Sequence, residues 1–309
     1  MGLFDFLKKK SNSTEIKPGA LAEDKRPVPG QETPTEPITT NKAKKDIQSI
    51  TEIPEMPTEN KAPEASAGTT KEPYYGDLEK TGLLVELCAV PLEKRDEKWF
   101  REFHANIPLA SFKAAEPQVI EGPDGFPYFQ LELPEPGVAF QCYVIDHMVP
   151  DFLFANGLGV VINASKGEPD WVLTYGDVVN YAIKKDFFNT DNTHFNQGGD
   201  KQINPTDLEN DVMVGQPAEF VLPAPTRSVL RSFLQKYKNV HDPKVLLMTT
   251  RTPDGREAQD LVFNFTPQDF VSEQEFQSTA QQMQWFLPRH YSLAFFSEND
   301  SLKEHFQAL

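Results

Sequence analysis

The stretch Lys244-Val-Leu-Leu-Met-Thr-Thr-Arg-Thr-Pro-Asp-Gly255, with Leu261-Val-Phe-Asn-Phe265 behind it, decides how the last third of this chain folds. The unbroken Val-Leu-Leu-Met centre makes residues 244–250 a strand. Asp254-Gly255 tolerates positive φ, so Thr252-Pro-Asp-Gly255 is a hairpin turn. Leu261, Phe263 and Phe265 alternate on one face of the returning strand, 261–265. Upstream, Leu230, Phe233, Leu234 and Tyr237 recur at i, i+3, i+4 and i+7 and make 226–237 a helix. Residues 218–222 read as the strand before it. Downstream, Thr266 caps a helix with Pro267 in its first turn and Asp269 at its positive end. Phe276, Ala280 and Met283 share a face of that helix. Residues 291–296 are the last strand, and 300–307 read as a short terminal helix.

The resulting order, β-α-β-β-α-β, is that of the ferredoxin-like split unit. Such a sandwich places Leu230, Phe233 and Leu234 against Phe276, Ala280 and Met283, above Leu246, Phe263 and Phe265. The other sheet face then carries Val245, Leu247, Val262 and Asn264. That set is too apolar for a freely solvated face, so the face is expected to be covered.

Further outward lies a polar connector, 189–216. It is rich in turn formers such as Asp191, Asn192, Asn196, Gly198, Gly199, Asn204 and Pro205. It separates a C-terminal domain, 217–309, from a mixed α and β domain, 74–188. In the latter, residues 82–90 read as a strand. Residues 92–104 read as a helix with Trp99, Phe100 and Phe103 on one face. Residues 118–120 and 128–133 form a hairpin around Gly122-Pro-Asp-Gly125. Residues 138–145 read as a strand, and 151–156 as a short helix stopped by Gly157. Residues 160–163 and 171–174 are short strands, and 177–185 a helix with Gly176 before it. The fold class is therefore α+β, with two small mixed domains behind an N-terminal tail.

That tail, residues 1–73, is of another kind. From Ser11 to Pro73 it is Pro, Thr, Glu, Lys and Ala, with Ile47, Ile50 and Ile53 as its only aliphatic cluster. Such a composition cannot offset the roughly 1–2 kcal/mol per residue of backbone ordering, so a disordered tether is expected. Residues 1–10 are an apolar burst, Leu3, Phe4, Phe6 and Leu7, flanked by Lys8, Lys9 and Lys10. The burst is too short for a signal peptide or a membrane span, and Phe6 breaks the myristoylation pattern. It fits a frayed terminus, a weak membrane contact or a docking peptide.

The chain has 309 residues and a formal charge of −16. Residues 1–73 hold 11 basic and 12 acidic side chains, leaving 19 and 34 for the rest, so the acidity belongs to the folded body. Nucleic acid is excluded as a partner on this ground, because phosphate binding needs clustered Lys and Arg. Cys88 and Cys142 sit in apolar runs and read as reduced core residues of a cytoplasmic protein. Two thiols and six scattered histidines give no zinc spacing.

Three constellations could carry chemistry. Asp146-His147, with Asp151 nearby, offers a general base or two metal ligands at a strand end, or simply caps for the next turn. Asp170-Trp171 with Tyr175-Gly176-Asp177 could line a pocket for a small molecule or peptide, with Gly176 admitting a close backbone. The plainer account is a core Trp, a satisfied Tyr hydroxyl and an Asp in a helix first turn. Asp191, Asn192, His194, Asn196 and Asp200 offer oxygen ligands, but the EF-hand spacing fails and a solvated connector explains them. No Gly-x-Ser-x-Gly elbow, Walker loop, dinucleotide fingerprint or His-Glu-x-x-His occurs, and no cofactor is called for.

The run Phe220-Val-Leu-Pro, then Leu230-Arg-Ser-Phe-Leu, Pro243-Lys-Val-Leu-Leu-Met, Asp260-Leu-Val-Phe-Asn-Phe and Leu287-Pro-Arg resembles the C-terminal domain of the enhanced serine sensitivity protein (SseB) family. The resemblance covers about 90 residues and rests on patterning. It implies a bacterial cytosolic protein with a non-enzymatic, accessory role, and it supplies no catalytic residues. The expected function is binding of another protein, with the oligomeric state open. The competing expectation is an enzyme or small-molecule binder using Asp146, His147, Trp171, Tyr175 and Asp177.

Overall fold

The computed structural model describes residues 75–188, 194–196, 212–251, 255–298 and 302–309. The tether, the N-terminal decapeptide and most of the 189–216 connector lie outside these residues. So do Asp191, Asn192, Asp200 and the 252–254 part of the hairpin turn.

The described chain opens on a helix where the pattern suggested a strand. Asp77 caps α1 (Leu78–Cys88) by accepting from the backbone N–H groups of Glu79 and Lys80. The Leu-Leu-Val-Glu-Leu run fits a buried strand and a helix equally well, and the cap with 11 helical residues settles it as a helix. The expected 92–104 helix is divided. A 3₁₀ turn at Leu92–Lys94 gives way to α2 (Glu97–Asn106), capped by Asp96 and burying Trp99 and Phe103.

The expected hairpin forms between β1 (Lys113–Glu121) and β2 (Pro127–Glu132), with a register shift between Ala114 and Val119. Residues 138–145 do not form the expected strand. Up to Val144 they have no regular structure apart from one bridge from Tyr143 to Phe112, and α3 (Ile145–Met148) begins where the strand was to end. It continues through a π-helical turn, Val149–Leu153, into Phe154–Asn156, where Gly157 at φ 67° closes it. β3 (Gly159–Ile162) pairs parallel to β2, and β4 (Trp171–Leu173) antiparallel to β3, giving the order β1-β2-β3-β4. α4 (Tyr175–Lys184) follows.

The second sheet starts earlier than expected. Residues 218–222 are a tight turn, with Val221 and Leu222 N–H both donating to the Ala218 carbonyl. The strand is instead β5 (Val212–Gly215), inside the expected connector. Next come α5 (Ala224–Lys238), β6 (Lys244–Arg251) and β7 (Glu257–Phe263), the last two antiparallel, with Gly255 at φ 80°. Thr266 and Asp269 form a capping box, but on a 3₁₀ turn, Pro267–Asp269. Ser272 caps the longer α6 (Glu273–Met283). β8 (Leu293–Phe295) lies parallel to β7. The C-terminus ends in a 3₁₀ turn, Lys303–His305, and β9 (Gln307–Ala308), antiparallel to β6.

The fold is mixed α+β with two sheets. In the second, the β-α-β-β-α-β order holds along the chain, but the strands lie in the order β5-β6-β7-β8. That is not the interleaved arrangement of a split βαβ unit, because β5 and β6 pair antiparallel as direct neighbours.

The helices do share one face of this sheet. Leu230, Phe233, Leu234, Phe276 and Met283 belong to one buried cluster with Val245, Leu261, Phe263 and Phe265. Leu246 does not, whereas Val245 does and Leu247 packs against that cluster, so the two faces of β6 are the reverse of those expected. Leu246 pairs with Val262, and these two with Met248 form a cluster on the opposite side under Leu302 and Phe306. The second face is covered, but by a different set than expected: of Val245, Leu247, Val262 and Asn264 only Val262 belongs to this cluster, and the chain's own C-terminal segment supplies the cover. Residues 74–309 form one compact unit, and its largest buried cluster also takes Phe126 from the β1–β2 turn, Tyr128 and Val161 from the first sheet, and Tyr175 and Val179 from α4.

Candidate functional site

The densest polar arrangement lies where the first turn of α4 meets the Leu287-Pro-Arg segment. Thr174 caps α4, and Asp177 closes a capping box by accepting from the Thr174 N–H. The Asp177 side chain is fully buried, and both its oxygens accept from Arg289, Nε and Nη2 each at 2.7 Å. Paired parallel bonds of this kind are the strong form of the Arg–carboxylate contact. The guanidinium also lies 4.6 Å over the Phe188 ring. Gly176 admits a close backbone as expected, but the visitor is internal. A Cβ there would overlap the Leu287 carbonyl.

Beside it, Tyr175 is buried. Its hydroxyl donates to the Phe154 carbonyl at 2.9 Å and lies 3.4 Å from Thr226 Oγ1. Burial pushes that hydroxyl's pKa well up, so it stays protonated. The Trp285 indole N–H donates to the Tyr128 hydroxyl at 2.7 Å, a second polar link across the same junction.

Asp146 stands elsewhere. It sits in the first turn of α3, where it accepts from Lys185 Nζ and the Tyr181 hydroxyl, each at 2.8 Å. The Lys185 bond, helped by Tyr181 and opposed by burial, holds its carboxyl below the usual range. His147, one residue on, is exposed, as is Asp151. Asp146 is thus tied to α4 and not to a catalytic partner at a strand end.

Trp171 lies in a third place, an aromatic box. Its ring is 5.3 Å from Phe103, 5.6 Å from Trp99 and 4.9 Å from His104. Asp170, before it, is held by Arg95 and Asn163, each at 2.7 Å. His104 was not singled out from the sequence. Its position one turn after Phe100, beside the Trp99–Phe103 face, was the available signal. Phe100 and Phe188 rings lie 4.2 and 4.4 Å from it. Among the described residues neither of its nitrogens nor the Trp171 N–H finds a hydrogen-bond partner. Burial first, then the Arg289 charge, lowers its pKa to about 3, so the ring is neutral.

The five residues that could have formed a pocket therefore do not converge. Tyr175 and Asp177 are locked in the junction, Trp171 is in the aromatic box, Asp146 is bonded across to α4, and His147 faces solvent. A shallow groove of about 380 Å³ between α6 and β8 is lined by Gln277, Ala280, Gln281, Gln284, Leu293 and Phe295 and includes none of them. Of the connector constellation, the His194 ring nitrogen lies 3.3 Å from the Glu257 carbonyl. Among the described residues no three His, Cys, Asp or Glu side chains gather as a metal site. Cys88 and Cys142 are both half-buried, and the Cys142 thiol lies 3.9 Å from the Tyr143 carbonyl.

What the structure exposes is more distinctive. Tyr75 is 74% exposed, Leu78 71%, Leu83 47% and Val85 46%, all on or just before α1. On the inner side of the same helix Thr81 and Leu84 are buried. Among the described residues no helix is long and apolar enough to cross a membrane. No family model, curated protein or solved structure matches the chain.

Proposed function

We propose that this chain is a non-enzymatic protein-interaction module, a bacterial cytoplasmic accessory protein of the kind its SseB resemblance implies. The observation that carries the reading is the outer face of α1. Single exposed apolar side chains are ordinary, whereas a group of them on one short element marks a contact surface. Support from the polar residues runs the same way: Asp177, Tyr175 and Asp146 each engage internal partners and present no convergent set to a substrate.

The test is capture from native lysate with the full chain and with the double variant Leu78→Glu, Val85→Glu, followed by crosslinking. A specific partner should be retained by the parent, crosslinked by a carboxylate-to-amine reagent through Glu79 or Glu86 on α1, and lost by the variant. Equal capture by both chains, or crosslinks confined to other surfaces, would overturn this reading.

A further inference from the structure

We propose that the outer face of α1 receives an amphipathic helix of a partner protein whose apolar stripe is flanked by Lys or Arg. This rests on the interaction reading above and names the chemistry of the partner.

The stripe has helical spacing. Leu78, Gly82 and Val85 fall at i, i+4 and i+7, and the exposed Ala89 continues the row. Tyr75 stands just ahead of it and is equally open. Gly82 is the informative member. It sits in the helix interior, where glycine weakens a helix, and a Cβ at that position would meet nothing within 4 Å. The fold therefore supplies no packing reason for glycine here. A helix laid across the stripe does, because a residue without a side chain lets two helix backbones approach closely, with larger side chains on either side interlocking. A stripe this narrow suits one helix, read through anchors spaced as these are.

Charge selects which helix. Glu79 and Glu86 lie seven residues apart on the row next to the stripe, between it and Leu83. Both are exposed, and among the described residues neither enters an ion pair. The nearest cation of α1, Lys80, is turned to Asn106 at 3.4 Å. On the neighbouring α2, Lys98 and Arg101 are within 3.6 Å of Glu102 and Glu97. The stripe thus has an acidic border, in a chain of net charge −16. A partner helix with basic residues along that border is attracted, and an acidic one is repelled.

The probe is a labelled synthetic helix of about 16 residues, long enough to hold helical structure, with a Leu/Ala stripe flanked by Lys. Two controls carry Glu in place of Lys, or the same residues scrambled to destroy the helical period. Fluorescence anisotropy with the full chain should show the Lys helix binding about tenfold or more tighter than either control, and weakening between about 0.01 and 0.15 M salt. Leu78→Glu with Val85→Glu should abolish the preference. Gly82→Gln should weaken binding while Gly82→Ala largely keeps it, and unchanged circular dichroism shows that the variants fold.

Equal binding of the Lys and Glu helices, or binding indifferent to the α1 variants, overturns the proposal. So does self-association of the parent that disappears in Val85→Glu while the Lys helix fails to bind, since the occupant is then a second copy of this chain. If lysate capture depends on α1 but the Lys helix does not bind, the partner chemistry is wrong and the interaction reading stands. If neither depends on α1, both fall.

Discussion

Two Asp–cation pairs flank α4, and they behave as opposites. Asp177 and Arg289 meet through two 2.7 Å bonds, with the carboxylate fully buried, and join α4 to the segment leading into β8. Asp146 and Lys185 meet through one 2.8 Å bond, with the lysine side chain 63% exposed. In the sequence the two aspartates look alike, each within two residues of an aromatic or histidine at the edge of an apolar run. The difference teaches that burial, not the presence of a charge partner, decides what an ion pair contributes. Removing one partner of a buried pair strands an unpaired charge and costs about 3–5 kcal/mol, whereas an exposed pair contributes about 0–1 kcal/mol.

The strongest way to break the contrast is Arg289→Met, which leaves the Asp177 carboxylate buried without its cation. The expected loss is about 3 kcal/mol in urea unfolding, at the low end for a buried pair because the Arg289 side chain is 45% exposed. A change below about 1 kcal/mol would put this pair in the same class as the exposed one. Phe233→Ala supplies an apolar yardstick of similar size, about 3–5 kcal/mol. Phe233 is buried in the cluster shared by both sheets, 4.8 Å from the Phe286 ring. Should it melt like the parent, the shared cluster is not what holds the two sheets together.

The middle effect is pH-dependent and concerns His104, which feels the Arg289 charge. Its folded pKa lies near 3, against about 6.5 in an unfolded chain. The unfolded state therefore takes up a proton that the folded state refuses. The contribution is full above pH 6.5 and is lost as the pH falls toward 3, roughly 2 kcal/mol by pH 5. His290, lowered to about 4 by burial and then by Lys184, acts with the same sign but is half-exposed. Denaturant midpoints between pH 7.5 and 5 should fall more steeply for the parent than for His104→Phe. Parallel profiles would show that His104 is open to protons in the native state. The smallest effect is Asp146→Asn, expected below about 1 kcal/mol. A double-mutant cycle with Lys185→Met that returned a coupling near that of the buried pair would erase the distinction.

Local chemistry made several elements readable from the residues. The β1–β2 hairpin follows from Gly122-Pro-Asp-Gly125, α5 from its apolar period, and the β6–β7 pair from the Asp-Gly turn between alternating strands. Gly157 ended its helix by adopting positive φ. The misreadings fell where a local signal is ambiguous. A continuous apolar run became α1 because Asp77 capped it. The apolar turn at 218–222 was taken for a strand, while the true edge strand, Val212–Gly215, lay hidden in a polar region.

The candidate site divides along the same line. The residue types at Tyr175, Gly176 and Asp177, and the Leu287-Pro-Arg segment, stood out in the chain, yet nothing local says that Asp177 and Arg289, 112 positions apart, are partners. The sequence alone determined which segments could become helices and hairpins, because caps, turns and periodicity act over a few residues. It also called for a cover on the second face of the last sheet, but from residues of which only Val262 lies there. Only the tertiary structure decided that Leu302 and Phe306 supply that cover, that Leu246 faces them, and that Asp177 is buried against Arg289. Those outcomes depend on contacts between distant segments, where register and burial are set by the packing of the whole unit.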